Sequence, residues 1–202
     1  MKTIVDYKMK FKDAELENQV QEFFESYNKE EVATHSIEVA NEARKMAKTF
    51  GLPEEKAFIA GLLHDTGIVI PQEDRVPLHI SLNEKVFEEE KELPMILHQK
   101  QSVFISREVF GITDEQILSA IESHTTLKKN ATELDKLIFI ADKVKWDRTD
   151  NAPYLDDLNK ALRNSLDEGC KVYIKWALSD IIVFHPWLKE AMDDLKISYL
   201  TD

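Results

Sequence analysis

The chain has 202 residues, a formal net charge of −12, 43% hydrophobic and 32% charged residues, and only 5 glycines and 6 prolines. That length is ample for a sizeable core in one domain; the apolar fraction excludes full disorder, and so few glycines and prolines exclude collagen-like and linker-rich chains. The acidity argues against a general binder of nucleic-acid polymers and against docking on an anionic membrane, because phosphates would be repelled.

The pattern along the chain is helical almost throughout. Asp13 is placed to cap a helix reaching Tyr27, with Leu16, Val20, Phe23 and Phe24 on one face. A second helix is expected from Glu31 to Phe50, its apolar positions Val32, Val39, Ala43, Met46 and Phe50 recurring at helical spacing. Gly51 stops it and Pro53 opens the next, Pro53 to His64, which is apolar on most faces and so belongs at the centre of a bundle. Thr66 to Pro94 contains Gly67, Pro71, Pro77 and the acidic run EEEKE, and reads as a loop with one short helix over Glu84 to Lys91. Helix is expected again from Pro94 to Phe110. Thr113 with Gln116, and Thr132 with Asp135, have the spacing of capping boxes for two more. Tyr154 onward reads as two or three helices broken near Pro186. No run of period two stands out, so the expectation is one all-α domain over residues 1–202. The lone Cys170 excludes an internal disulfide, the first residues lack a signal-peptide core, and the longest apolar stretch is far short of the roughly 20 residues of a membrane span. A soluble, cytoplasmic protein is therefore expected.

Polar residues on the apolar faces are the informative ones. His35 lies between Val32 and Val39; His64 and Asp65 end the most apolar helix; His98 follows Met95-Ile96-Leu97; His124 ends ILSAIESH; Asp142 interrupts LIFIADK. One such histidine is ordinarily a core residue bonded to backbone, and Asp142 alone is explained by pairing with Lys136 or Lys145. Five such places on successive apolar helices require pairing or a metal, because an unpaired buried imidazole or carboxylate costs several kcal/mol. Imidazole and carboxylate together suit Zn, Fe or Mn. His79, in the proline-rich stretch, reads as solvated, and His185 as sitting at a helix junction before Pro186. Cys170 is a poor nucleophile candidate with no partner histidine indicated.

His35, then His64-Asp65, then Asp142 has the order H…HD…D, and with AGLLHD, AIESHTT and LDKLIFIADK the chain resembles the HD-domain metal-dependent phosphohydrolases, in particular the bacterial YqeK family of symmetrical diadenosine tetraphosphate hydrolases. The resemblance implies an HD-domain helical bundle with its core over about residues 30 to 170. It implies two metal ions, iron first, with Mn, Zn, Mg or Co as alternatives. His35, His64, Asp65 and Asp142 would hold one ion, and Asp65 would bridge to a second held by His98 and His124. The implied reaction is attack by a metal-bridging hydroxide on a dinucleoside polyphosphate, giving two ADP. Asp65, Lys143 and Arg148 are the expected catalytic residues, with Thr125, Lys128, Lys143 and Arg148 on the phosphates. The segment carrying Lys128, Lys129, Lys136, Lys143, Lys145 and Arg148 is locally basic in an acidic protein. The chain departs from the family pattern at Ile68 where a lysine is usual, at Gln99 and Leu127 where glycine is usual, and at Lys145, Trp146 and Asp147. Those departures keep two alternatives open: an HD nucleotidase or phosphatase on another substrate, and a non-catalytic nucleotide-binding module. Trp176, Phe184 and Trp187 either finish the core or form a homodimer face.

Overall fold

The computed structural model describes residues 3–145 and 152–198, so Trp146, Asp147 and Arg148 lie outside the described residues. Among the described residues the regular structure is entirely helical: α1 (Leu16–Glu25), α2 (Glu30–Phe50), α3 (Glu54–Leu63), α4 (Gln72–Ser81), α5 (Glu88–Glu92), α6 (His98–Glu108), α7 (Glu115–Glu122), α8 (Glu133–Val144), α9 (Leu155–Ala161), α10 (Leu166–Ala177) and α11 (Pro186–Asp194). No helix among them is long and apolar enough to cross a membrane.

The centre is α3, as its composition requires. Ala57, Phe58, Ala60, Gly61, Leu62 and Leu63 are all buried, and α3 packs against α1, α2, α7 and α8. Its contact with α2 is close because of Gly61: a Cβ there would lie 2.6 Å from the Ala40 Cα. The C-terminal helices close the other side, α10 packing on α8 and α9. Trp176 and Phe184 pack against this core.

Local signals set most boundaries. Gly51 ends α2 in the left-handed conformation, at φ 69°. Thr132 and Asp135 form the expected capping box of α8. The α7 cap differs from the expectation. Asp114, not Thr113, accepts the backbone N–H groups of Gln116 and Ile117, a carboxylate at a helix N-terminus being favoured by the dipole as well as by the bond. Asp13 likewise lies ahead of α1, accepting from Glu15 N and Asn18 Nδ2 rather than capping it. The helix expected from Pro94 begins as a tight 3₁₀ turn, Pro94–Leu97, and becomes α-helical at His98.

The stretch read as loop contains α4, with Pro77 inside it. Pro77 costs a backbone hydrogen bond, but it faces solvent, while Arg75, Leu78 and His79 on the opposite side are buried. Burial of that face outweighs the local penalty. His79 is consequently 1% exposed, not solvated. Burial first, then the charge of Lys100, push its imidazole down to about 4, so it is neutral.

Candidate metal centre

The HD pair sits where α3 ends. Within a helix, adjacent side chains point in different directions. Here His64 keeps helical dihedrals while Asp65 turns to φ −103°, ψ 9° and a 3₁₀ turn, Thr66–Val69, follows. The change of direction brings both side chains to one place. Gly67 holds that turn against α6, its N–H donating to Ser102 Oγ at 2.8 Å.

His35 from α2, His64 and Asp65 from the end of α3, His98 from α6, His124 after α7 and Asp142 from α8 converge there. His35 Nε2 is 3.1 Å from Asp142 Oδ1. His98 and His124 present Nε2 to Asp65 Oδ1 at 3.2 and 3.3 Å. His64 Nε2 lies 3.4 Å from Asp65 Oδ2 and 3.7 Å from Asp142 Oδ1. Two triads, His35/His64/Asp142 and His64/Asp65/His124, have their ligand atoms within 4.8 Å of one another.

The far sides of three rings fix the protonation. His64, His98 and His124 each place Nδ1 on the carbonyl three residues earlier, of Gly61, Met95 and Ile121, at 2.8, 2.6 and 2.8 Å. A carbonyl only accepts, so each Nδ1 carries the proton and, in the neutral ring, each Nε2 is a lone pair. Those lone pairs face one another and the carboxylates. His98 and His124 have their Nε2 atoms 2.8 Å apart, and His64 Nε2 is buried without a hydrogen-bond partner. Such a set repels itself unless a proton or a metal ion sits at its focus, so the residues fit a metal. Burial chiefly, with the neighbouring His98 and His64, pushes His124 down to about 4. Burial opposes a charge on His64, but Asp65 and Asp142 outweigh it and raise that imidazole to about 9. Both carboxyls are held well below the usual range although burial opposes ionisation, Asp65 chiefly by the charge of the adjacent His64 and Asp142 chiefly by that of Lys143.

The cluster opens into a cleft of about 350 Å³ that is also lined by Ile68, Met95, Thr125, Lys143 and Tyr173. Lys143, not Lys136 or Lys145, pairs with Asp142, and its Nζ also donates to the His124 carbonyl at 3.2 Å. Burial alone would lower the Lys143 ammonium; the adjacent Asp142 raises it. Thr125 Oγ1 lies 3.3 Å from His98 Nε2. Lys128 is not brought to the cleft. Its Nζ is 2.9 Å from Glu122 Oε2 and 3.3 Å from the Ser119 carbonyl, because Glu122, six residues back, offers it a charge partner.

Two supports escape sequence reasoning. Gln99 is fully buried; its Oε1 accepts the Thr125 and Thr126 N–H groups at 3.1 and 3.2 Å and its Nε2 donates to Thr126 Oγ1 at 3.0 Å. Leu127, next in the turn, takes φ 58°, a conformation that glycine adopts without cost. Arg75 is buried and, among the described residues, donates to the Gly67 carbonyl and Gln101 Oε1 at 3.1 and 3.0 Å rather than to a carboxylate. The signal for Gln99 was present, a polar residue beside His98, but its partners are 26 or more residues away. Cys170 is buried and its thiol pushed up by desolvation, which removes it as a nucleophile.

Comparison with known proteins gives a consistent result. The HD domain family matches residues 32–147. A Lactococcus lactis subsp. cremoris protein, described as an uncharacterized protein in the pepC 5′ region, is 48% identical over 146 residues, 72% of this chain and 75% of that one. A symmetrical bis(5′-nucleosyl)-tetraphosphatase of Staphylococcus aureus is 33% identical over 141 residues, 66% of this chain and 69% of its own. Among solved structures, a protein from Clostridium acetobutylicum described as a predicted HD superfamily hydrolase involved in NAD metabolism superposes with a TM-score of 0.81 at 27% identity, covering 89% of this chain and 96% of that one.

Proposed function

The chain belongs to the HD-domain family of phosphohydrolases, and on that premise we propose that the cluster holds two metal ions and hydrolyses a dinucleoside polyphosphate symmetrically, diadenosine tetraphosphate giving two ADP. The observation that carries the metal part is the convergence of lone-pair nitrogens on Asp65, with His98 and His124 Nε2 only 2.8 Å apart. His35, His64, Asp65, His98, His124 and Asp142 are the residues that would hold the ions. The imidazole and carboxylate donors suit iron, and equally manganese, zinc or cobalt. Divalent ions held there would supply a water acidified to a pKa of about 7 and charge neutralisation at the phosphate.

The chain's own groups do the rest. Lys143, fixed by Asp142 and the His124 carbonyl, faces the cleft and pairs with a phosphate oxygen. Thr125 donates its hydroxyl to the same chain of phosphates, and Arg148, outside the described residues, is assigned there too. Support for the substrate comes from the Staphylococcus aureus relative, whose name states this reaction. A second reading, an HD nucleotidase on a different phosphate ester, is favoured by one observation: Ile68 lines the cleft where the family pattern has a cation. Metal analysis of anaerobically purified protein should find about two ions per chain, lost in His64→Ala. A nucleotide panel then decides the substrate. Two ADP from diadenosine tetraphosphate supports the first reading; inorganic phosphate from smaller nucleotides supports the second; tight binding without turnover under any divalent metal overturns both.

A further inference from the structure

A second cavity, of about 250 Å³, adjoins the metal cleft. Thr125 and Tyr173 line both, so the two cavities are neighbours and a ligand on the cluster lies beside the second one. The two compartments differ in chemistry. The cleft is lined by imidazoles, carboxylates and Lys143; the adjoining pocket is lined by the aromatic Phe139, Tyr173 and Trp176 and the aliphatic Ile181, Ile182 and Val183. The aromatic wall is built, not incidental: Tyr173 lies 5.5 Å from Phe139 and 5.8 Å from Trp176, and Tyr154 backs Trp176 at 4.6 Å.

Among the described residues five large apolar side chains are exposed, and three of them line these two cavities. Met95 is at the cleft, and Ile181 and Ile182, 38% and 74% exposed, are at the pocket. Apolar surface gathered at the mouth of a cavity is surface that a ligand covers.

From this we infer that the pocket is a nucleoside subsite: it takes the purine base and ribose of the substrate, stacked on the Tyr173–Trp176 wall and covered by Ile181 and Ile182, while the phosphates lie on the cluster. The assignment rests on the nucleotide reading above and adds the residues that select a nucleoside over a bare phosphate ester. A base offers a flat apolar face to such a wall whatever its edge groups, and each stacked contact strengthens binding about tenfold.

The test separates the two claims. Isoleucine methyl signals of the zinc-loaded protein are followed during titration with adenosine, which has no phosphate to bind metal. Adenosine should shift the Ile181 and Ile182 methyls, and Ile182→Asp and Trp176→Ala should each weaken the binding about tenfold. Ile182 is at the surface, so that variant keeps the fold even if Trp176→Ala does not. Metal content of both variants should match the wild type, which a general loss of structure would not permit. Methyl shifts elsewhere only, or an affinity within twofold of wild type in Ile182→Asp, overturn the subsite. If adenosine binds there and no nucleotide is cleaved, the subsite stands and the hydrolase reading falls. If diadenosine tetraphosphate is cleaved with unchanged KM in Ile182→Asp, the hydrolase stands and the subsite falls.

Discussion

Replacing Gln99 by leucine tests whether the turn after α7 is held by a single side chain. Leucine keeps comparable bulk and removes both polar atoms. The Thr125 and Thr126 N–H groups then lose their acceptor and Thr126 Oγ1 loses a donor. Thr126 is buried, so its amide pays the full cost of an unmade bond, about 1–3 kcal/mol. Thr125 is half-buried and water reaches it, so its share is nearer the net value of an ordinary bond, about 1 kcal/mol. A loss of about 2–4 kcal/mol follows, read as a lower urea midpoint at unchanged slope. Metal content should stay at the wild-type level, because His98 and His124 are oriented by the carbonyls of Met95 and Ile121, which Gln99 does not touch. KM should rise more than kcat falls, since Thr125 borders the cleft without holding an ion. A stability loss under about 0.5 kcal/mol would show that water or the backbone satisfies the turn; loss of metal would show that Gln99 acts on the imidazoles instead. Either result refutes the argument.

Three further outcomes are expected. Gly67→Ala places a Cβ against the His98 carbonyl and 2.9 Å from the Ser102 nitrogen; overpacking of about 1–3 kcal/mol should appear as a lower Tm together with weakened metal binding, because the strain falls between Asp65 and His98. Removing metal with a chelator should lower Tm in the wild type by more than in Asp142→Asn, since an ion that binds only the native state stabilises it by mass action; equal shifts would place the ion elsewhere. His79 has a folded value of about 4 against an unfolded value of 6.5, so its contribution is full above pH 6.5 and is lost as pH falls from there toward 4. At about 1.4 kcal/mol per unit the total approaches roughly 3 kcal/mol, and His79→Leu should flatten the dependence of the urea midpoint between pH 6.5 and 4.

The parts of the structure legible in the sequence were those set by neighbours along the chain. α3 announces itself because nearly every face is apolar, and the Thr132–Asp135 cap because its two bonds close over three residues. The cluster was legible for a related reason: His35, His64, His98, His124 and Asp142 each break an apolar pattern. What could not be read depends on distant partners. α4 was hidden because Pro77 is a local breaker whose cost is offset only by what Arg75 and Leu78 meet across the fold. The pairing of Lys143 with Asp142 is not legible in the sequence because adjacent residues do not share a helix face, yet a largely covered carboxylate at a helix end draws in the nearest cation. Lys128 looked available as a free charge, and Glu122 takes it.

One helix carries a consequence for the order in which the protein assembles. In α6, His98 faces the cluster, Gln99 the turn after α7, Lys100 the Glu90 carboxylate at 2.5 Å, Gln101 the Arg75 backbone at 2.8 Å and Ser102 the Gly67 amide. Five successive side chains are polar, buried and bonded to separate parts of the chain. None of those bonds is available until its partner has arrived, and a half-made polar network is worse than none. Docking of α6 is therefore expected late, after α2, α3 and α8 have collapsed on their apolar faces. Substitutions along it should hasten unfolding while leaving the folding rate nearly untouched, so that this segment governs how long the native state lasts rather than how fast it is reached.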